Sequence, residues 1–421
     1  MPRSTAFHSV RHEPHHGHHA LRLLHSHVHG PVRCLNPTRA RFTYDAAGGT
    51  KQIAASSIVE KQTLPDEKYP QGKLANKISF EWRSRNNRKG RSVLILHHPQ
   101  KADEQAAQYV VPQSTASVLP VLRNLRLMFT YFPYWDISYL VGVLFTFGSV
   151  IWVINGFFAW LPLQVPASEF DNEGLVGGGV TAFIGATVFE VGSVLLLLEA
   201  VNVSREGCFG WAVEVALEGG EKSRELLAVT SRNDERDHHF NRSSLLGQSS
   251  HSPRYKYNVE PSWQWFPSFK ELQTHYLHEL GFLASLSQFI GATIFWISGF
   301  TALPGIINNL SQGLLDGVYW APQIIGGLGF IVSSALFTLE TQKNWYTPAP
   351  RTLGWHIGVW NLIGAVGFTL CGVLGPAYGS SRAQYQASLA TFWGSWAFLI
   401  GSAIQWYESL GKWVIEKDRD E

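Results

Sequence analysis

Four glutamates stand out because of the apolar sequence around them. Glu190 is the only charged residue between Glu173 and Glu199. At 1.5 Å per residue it lies about 13 Å deeper than Glu199 along a helix. An ionisable group at such depth is costly unless protonated or paired, and suggests a proton relay or binding site. A neutral Glu holding one hydrogen bond is the structural alternative. Asn155, Gln288 and Asn361, each in a different apolar segment, are its candidate polar neighbours. The other three, Glu199, Glu340 and Glu408, each end the pattern G-x3-F-x2-[GS]-S-x5-E. Such a set can form a ring of contacts that locks three helix pairs together, or line a vestibule for cations. His275, His278 and Glu279 (HYLHE) would share one face of a helix, where metal binding is conceivable and an interfacial His pair is the simpler reading. No phosphate-binding loop, dinucleotide fingerprint, nucleophile elbow or catalytic triad pattern occurs, and no cofactor motif, so an enzyme is disfavoured.

The glutamates need a scaffold, and the same pattern supplies it. Positions seven apart differ by only about 20° around a helix. Gly185 and Gly192 therefore share a stripe with Glu199, Gly326 and Ser333 with Glu340, and Gly394 and Gly401 with Glu408. In lipid, stripes of small residues let backbones approach closely, where packing and weak hydrogen bonds replace the hydrophobic effect. These six positions are the expected helix-packing seam. The alternate segments show glycines eight apart (Gly148 and Gly156, Gly291 and Gly299, Gly364 and Gly372), with Pro162, Pro304 or Pro376 closing each helix. The whole reads as an internal repeat of three two-helix units in one orientation, about a pseudo-threefold axis. Mitochondrial carriers also have three such units, but their P-x-[DE]-x-x-[KR] motif is missing here.

A mean hydropathy of −0.03 and a net charge of +2 over 421 residues would suit a soluble protein. The averages conceal two unlike halves: 15 of the 16 Trp lie at or beyond Trp135, and nine of the 17 His lie between His8 and His29. Six apolar segments, about 137–161, 174–200, 281–303, 318–339, 354–375 and 389–407, are each long enough for a roughly 30 Å hydrocarbon core. The fold class expected is an all-α membrane protein with six transmembrane helices in three parallel-repeat α-hairpins, with a disordered cytosolic amino-terminal arm. Of 34 Lys and Arg, 33 fall before the first span, between the second and third, between the fourth and fifth, or after the sixth. The positive-inside rule then puts both termini in the cytosol, without saying which membrane is spanned. The sequon at Asn309 falls outside, whereas those at Asn202 and Asn241 fall inside.

Residues 1–75 are a His- and Arg-rich tail with too little apolar surface to offset chain entropy, so they are expected to be disordered. The His run could hold Zn²⁺ or Ni²⁺ loosely, a solvated tail being the plainer reading. Met1 to Tyr44 carries six Arg and one acid, faintly like a transit peptide but without its clean amphipathic helix. Residues 76–130 are polar and basic, with one short apolar run at 93–96, and end in an interfacial helix on an anionic leaflet. Hairpins then occupy 131–201, 263–343 and 344–410, separated by a flexible cytosolic loop at 202–262 and followed by a tail at 411–421. The loop opens with a short surface helix near CFGWAVEVAL. Cys34, Cys208 and Cys371 are isolated from one another, which excludes a disulfide framework and a paired-cysteine metal site.

The stretches GATIFWISGFTALPGI (291–306) and FGSVIWVINGFFAWLP (147–162), with HYLHELGF ahead of the third span, resemble a group of fungal integral membrane proteins whose function is not established. The two-helix unit with its [GS]-S step also resembles the YrhK-like hairpin. The resemblance covers about residues 130–410 and implies a polytopic membrane protein, with no activity or substrate attached. From the residues, the leading expectation is a channel or transporter-like module for a small solute or ion, with Glu190 at its centre. The rival is a non-transporting membrane scaffold or sensor. Its partners are the lipid bilayer and cytosolic proteins reached through 1–130 and 202–262; no nucleic acid is expected, and the oligomeric state is open.

Overall fold

The computed structural model describes residues 21–23, 29–44, 78–91, 93–96, 109–110, 118–203, 205–218, 228–230, 262–410 and 415–416. Most of the His run, most of the 202–262 loop and nearly all of the 411–421 tail lie outside these residues.

Six helices, 22 to 30 residues long with the turns that adjoin the second, fourth and fifth, are long and apolar enough to cross a membrane, which makes the chain an integral membrane protein. We call them spans 1 to 6: Ile137–Gln164, Gly179–Val201, Leu280–Thr301, Ala321–Thr341, Leu353–Leu374 and Ser381–Ser409. Span 1 starts where the Asp136 side chain accepts bonds from the backbone N–H of Ser138 (2.8 Å) and Tyr139 (3.2 Å), satisfying donors that a helix start leaves free. Spans 2 and 4 are entered through single π-helical segments, Glu173–Gly178 and Asp316–Trp320. Span 6 begins eight residues before its expected start, because its first turns carry Arg382, Gln384 and Gln386, which hydropathy alone counts as loop. Pro162 lies within the last turn of span 1, which continues to Gln164, so it does not end that helix as expected. Its ring removes only one hydrogen bond there, close to the helix end.

The spans form a closed ring in chain order, each packed against its sequence neighbours and span 6 returning to span 1. The outer surface is apolar, with Phe147, Ile154, Val191, Ile297, Val332 and Val373 among the exposed side chains, as a lipid-facing surface requires. One aromatic residue from each span fills the axis: Trp152, Phe189, Phe295, Phe330, Phe368 and Phe398, all buried. Their rings meet at centroid distances of 4.9 Å (Trp152 to Phe368), 5.3 Å (Phe368 to Phe398), 5.6 Å (Phe295 to Phe330) and 5.7 Å (Phe189 to Phe398), with edge-to-face or tilted geometry. Phe189, Phe330 and Phe398 are the aromatic position of the even-span pattern. Trp152, Phe295 and Phe368 each stand four residues after the first glycine of an eight-apart pair, Gly148, Gly291 or Gly364.

The six seam positions face partners within their own hairpins or beside the axis. A Cβ at Gly326 would stand 2.7 Å from the Gly291 carbonyl oxygen, and one at Gly394 would stand 3.1 Å from that of Gly364. Gly185 makes room for the Trp152 indole, Gly192 for Phe145 and Gly401 for Asn361, while Ser333 is buried.

Residues 29–44, inside the stretch expected to be disordered, are built onto one end of the bundle. Four antiparallel strands, β1 (Leu21–Leu23), β2 (Arg39–Tyr44), β3 (Ile78–Arg83) and β4 (Val93–Leu96), form a sheet in chain order. The expected strand at 93–96 is β4. Backbone groups of Asn36 and His278 bond at 2.8 Å, and the Arg39 guanidinium donates to the Thr341 carbonyl. These contacts anchor a segment too poor in apolar residues to fold alone. The helix Val118–Thr130 leaves Leu119, Leu122, Leu125 and Phe129 exposed and buries Met128 against Tyr139 and Leu410. The expected surface helix is Phe209–Glu218.

Candidate functional site: a cationic finger in a glutamate ring

The connection from β3 to β4 is a single helical turn, Ser84–Arg88, with Lys89 as its C-cap. Gly90 adopts a left-handed φ of 63°. The N–H of Gly90 bonds the carbonyl of Asn87 (3.3 Å) and that of Arg91 bonds Asn86 (2.7 Å). This is the paired closure of a helix end that a glycine beyond the C-cap permits. Arg85, Arg88 and Lys89, spaced i, i+3 and i+4, share one face of this finger.

Each cation of the finger meets a different glutamate of the expected ring. Arg85 Nη2 stands 2.5 Å from Glu408 Oε2. Arg88 makes a two-pronged contact with Glu340, Nη1 to Oε1 and Nη2 to Oε2, both 2.7 Å. Lys89 Nζ donates to both oxygens of Glu199 at 2.9 Å. Ser84 Oγ adds a bond to Glu340 (2.9 Å), Arg91 approaches Glu408 at 3.2 Å, and the Ser138 hydroxyl donates to Glu199. Arg85, Arg88 and Lys89 are 8%, 3% and 3% exposed, and the three carboxylates are buried with them.

Burial disfavours each charge, and the hydrogen bonds within the pairs offset that cost. Burial works against the Arg88 charge, but Glu340, with Glu199 and Glu279 beyond it, outweighs burial and holds the guanidinium above its usual value. For Lys89 burial wins over the attraction of Glu199, and the ammonium is held below its usual value. The entry is sterically prepared. Ser138, Gly281 and Gly354 stand ten residues before Gly148, Gly291 and Gly364, and a Cβ at Gly281 or Gly354 would overlap the Arg88 or Arg85 side chain.

Between the finger and the axial aromatic residues lies a cavity of about 50 Å³. Arg85, Arg88 and Lys89 of the finger line it together with Phe145, Phe189 and Phe398. Gln288, Asn361, Gln405, Ser149, Ser333, Ser334 and Ser402 are the uncharged polar residues of the wall.

Glu190 stands elsewhere. It lies between spans 2 and 3, where Oε1 accepts from the Thr293 hydroxyl at 2.9 Å and Oε2 is buried without a protein partner. Of its three expected neighbours, Gln288 and Asn361 line the cavity, and Asn155 bonds the Gly178 carbonyl (2.7 Å) and Thr181 (3.0 Å). Thr293 was missed because the sequence does not tell which neighbouring helix the 190 face meets.

His275, His278 and Glu279 do not share a helix face. The helix Phe269–Thr274 ends before them, a 3-10 turn covers Tyr276–His278, and Glu279 is the N-cap of span 3. Among the described residues no group of three His, Cys, Asp or Glu is placed to hold a metal. Glu279 Oε1 accepts from Asn36 Nδ2 at 2.7 Å. Burial pushes its carboxyl up to about 7 against that hydrogen bond, with Glu340 adding to the rise. The folded state therefore binds this proton more tightly than the unfolded chain, so the Glu279 contribution weakens as pH rises from about 4.5 to about 7. Amide exchange at residues 29–39, corrected for intrinsic rates, should be slower at pH 6 than at pH 8. Glu279→Gln should erase that difference; a difference that survives in the variant would contradict the assignment.

The finger cations were not read as functional from the sequence, because they sit in a polar stretch where Lys and Arg ordinarily signal solvent. The available signal was numerical: three cations on one helical turn for three glutamates on one end of the bundle. No family model, curated protein or solved structure matches this chain. The resemblance to fungal membrane proteins and to YrhK-like hairpins rests on the quoted motifs alone.

Proposed function

We propose that the protein is a non-transporting membrane scaffold or sensor whose six-helix bundle holds two polar segments of its own chain as a platform on the cytosolic face. The observation that carries this reading is the finger: Arg85, Arg88 and Lys89 neutralise Glu408, Glu340 and Glu199. A ring saturated by the chain's own cations serves as a lock. The second polar segment is tied to the same end, since the buried Asn202 side chain bonds both the carbonyl and the N–H of Gln264 at 2.8 Å. The buried Asn202 sequon and the exposed Asn309 sequon at the other end are in keeping with cytosolic termini. On this reading, the arm at 1–130 and the loop at 202–262 recruit cytosolic partners.

The transporting reading draws on the polar cavity and on Glu190, whose second carboxylate oxygen has no protein partner. The two readings separate in liposomes containing the full chain. The scaffold reading expects proton and potassium flux equal to that of protein-free vesicles, for wild type and Glu190→Gln alike. A pH-dependent flux that Glu190→Gln abolishes would replace it with the transporter reading.

A further inference from the structure

We propose that the cavity between the finger and the aromatic axis is a binding site for one small monovalent anion of the halide class. The charged groups on its wall are Arg85, Arg88 and Lys89, and none of their partner carboxylates, Glu199, Glu340 or Glu408, lines it. The rest of the polar wall consists of side-chain amides and hydroxyls. Gln405 is 7% exposed and lines the cavity, and the half-buried Gln288 and Asn361 line it too. A buried amide needs a hydrogen-bond partner, and an anion in the cavity would offer one acceptor to all three side chains.

The chemistry of the wall selects the ligand. A cation would meet three cationic side chains whose carboxylate partners do not line the cavity, an arrangement that disfavours it. An anion accepts from guanidinium, ammonium, amide and hydroxyl donors together, and bonds from charged donors are the stronger kind. About 50 Å³ admits a few bodies the size of water, the scale of a single small ion with a companion water. Phe145, Phe189 and Phe398 give the cavity wall its aromatic part. The bound anion would add a counter-charge beside the finger, so its presence and the docking of the finger should reinforce one another.

Chloride-35 line broadening tests this on the full chain in nanodiscs at fixed ionic strength, with gluconate as the balancing anion. Excess broadening in the wild type should be competed away by bromide and not by gluconate. Gln405→Glu, which sets a carboxylate into the wall, should weaken chloride binding at least tenfold. Gln405→Leu should weaken it several-fold, and Glu190→Gln, outside the cavity, should leave it unchanged. Absence of excess broadening in the wild type would overturn the proposal. So would broadening that gluconate competes equally, or broadening undiminished in both Gln405 variants, since these describe diffuse attraction to surface cations. The wild-type measurement decides even if a variant folds poorly.

Discussion

Arg88→Met is expected to lower the unfolding free energy of the detergent-solubilised protein by about 3–5 kcal/mol, the cost of leaving one member of a buried ion pair without its partner. Glu340 is then left among the span ends, having lost both of the 2.7 Å bonds that Arg88 supplies. The Ser84 hydroxyl at 2.9 Å is too little to satisfy a buried carboxylate. The double variant Arg88→Met/Glu340→Leu should recover most of the loss, because removing both charges also removes the desolvation they impose. Denaturant titration of the wild type, Arg88→Met, Glu340→Leu and the double variant completes the cycle. A double variant as unstable as Arg88→Met would show that the guanidinium acts through something other than this carboxylate.

Phe398→Ala is expected to be of similar size, about 3–5 kcal/mol. Phe398 is buried and touches Phe189, Phe330 and Phe368, with centroids 5.7, 6.3 and 5.3 Å away, so its loss removes contacts to three other spans at once. In lipid the lost quantity is packing attraction, since the hydrocarbon outside is as apolar as the ring. Phe398→Leu should cost less than half as much by refilling the space. Both variants should remain ion-tight in liposomes, because five other rings still close the axis; a leak specific to Phe398→Ala would identify that ring as the barrier to conduction.

The spans were legible because twenty-residue apolar runs have few alternatives in a chain that must satisfy its backbone bonds in lipid. Glu199, Glu340 and Glu408 were legible as a set because spacing along a helix fixes both depth and face. The axial rings were half legible: Phe189, Phe330 and Phe398 belong to the even-span pattern, whereas Trp152, Phe295 and Phe368 were passed over because indole and phenyl do not align by identity. Glu190 was placed at its depth but not beside Thr293, since depth follows from counting residues and the choice of neighbour follows from packing. The finger was hidden most completely. Arg85, Arg88 and Lys89 are buried only because β3 and β4 carry them there, and short strands within a polar region leave almost no pattern in sequence.

The measurement closest to the central claim is amide exchange over residues 84–91 in the full chain reconstituted in nanodiscs. The account predicts that these amides are protected as one unit in the wild type. Replacing Glu199, Glu340 and Glu408 together by Gln should release them together while exchange in the six spans stays slow. Exchange of residues 84–91 at the rate of an open chain in the wild type would contradict the docked finger and the scaffold built upon it.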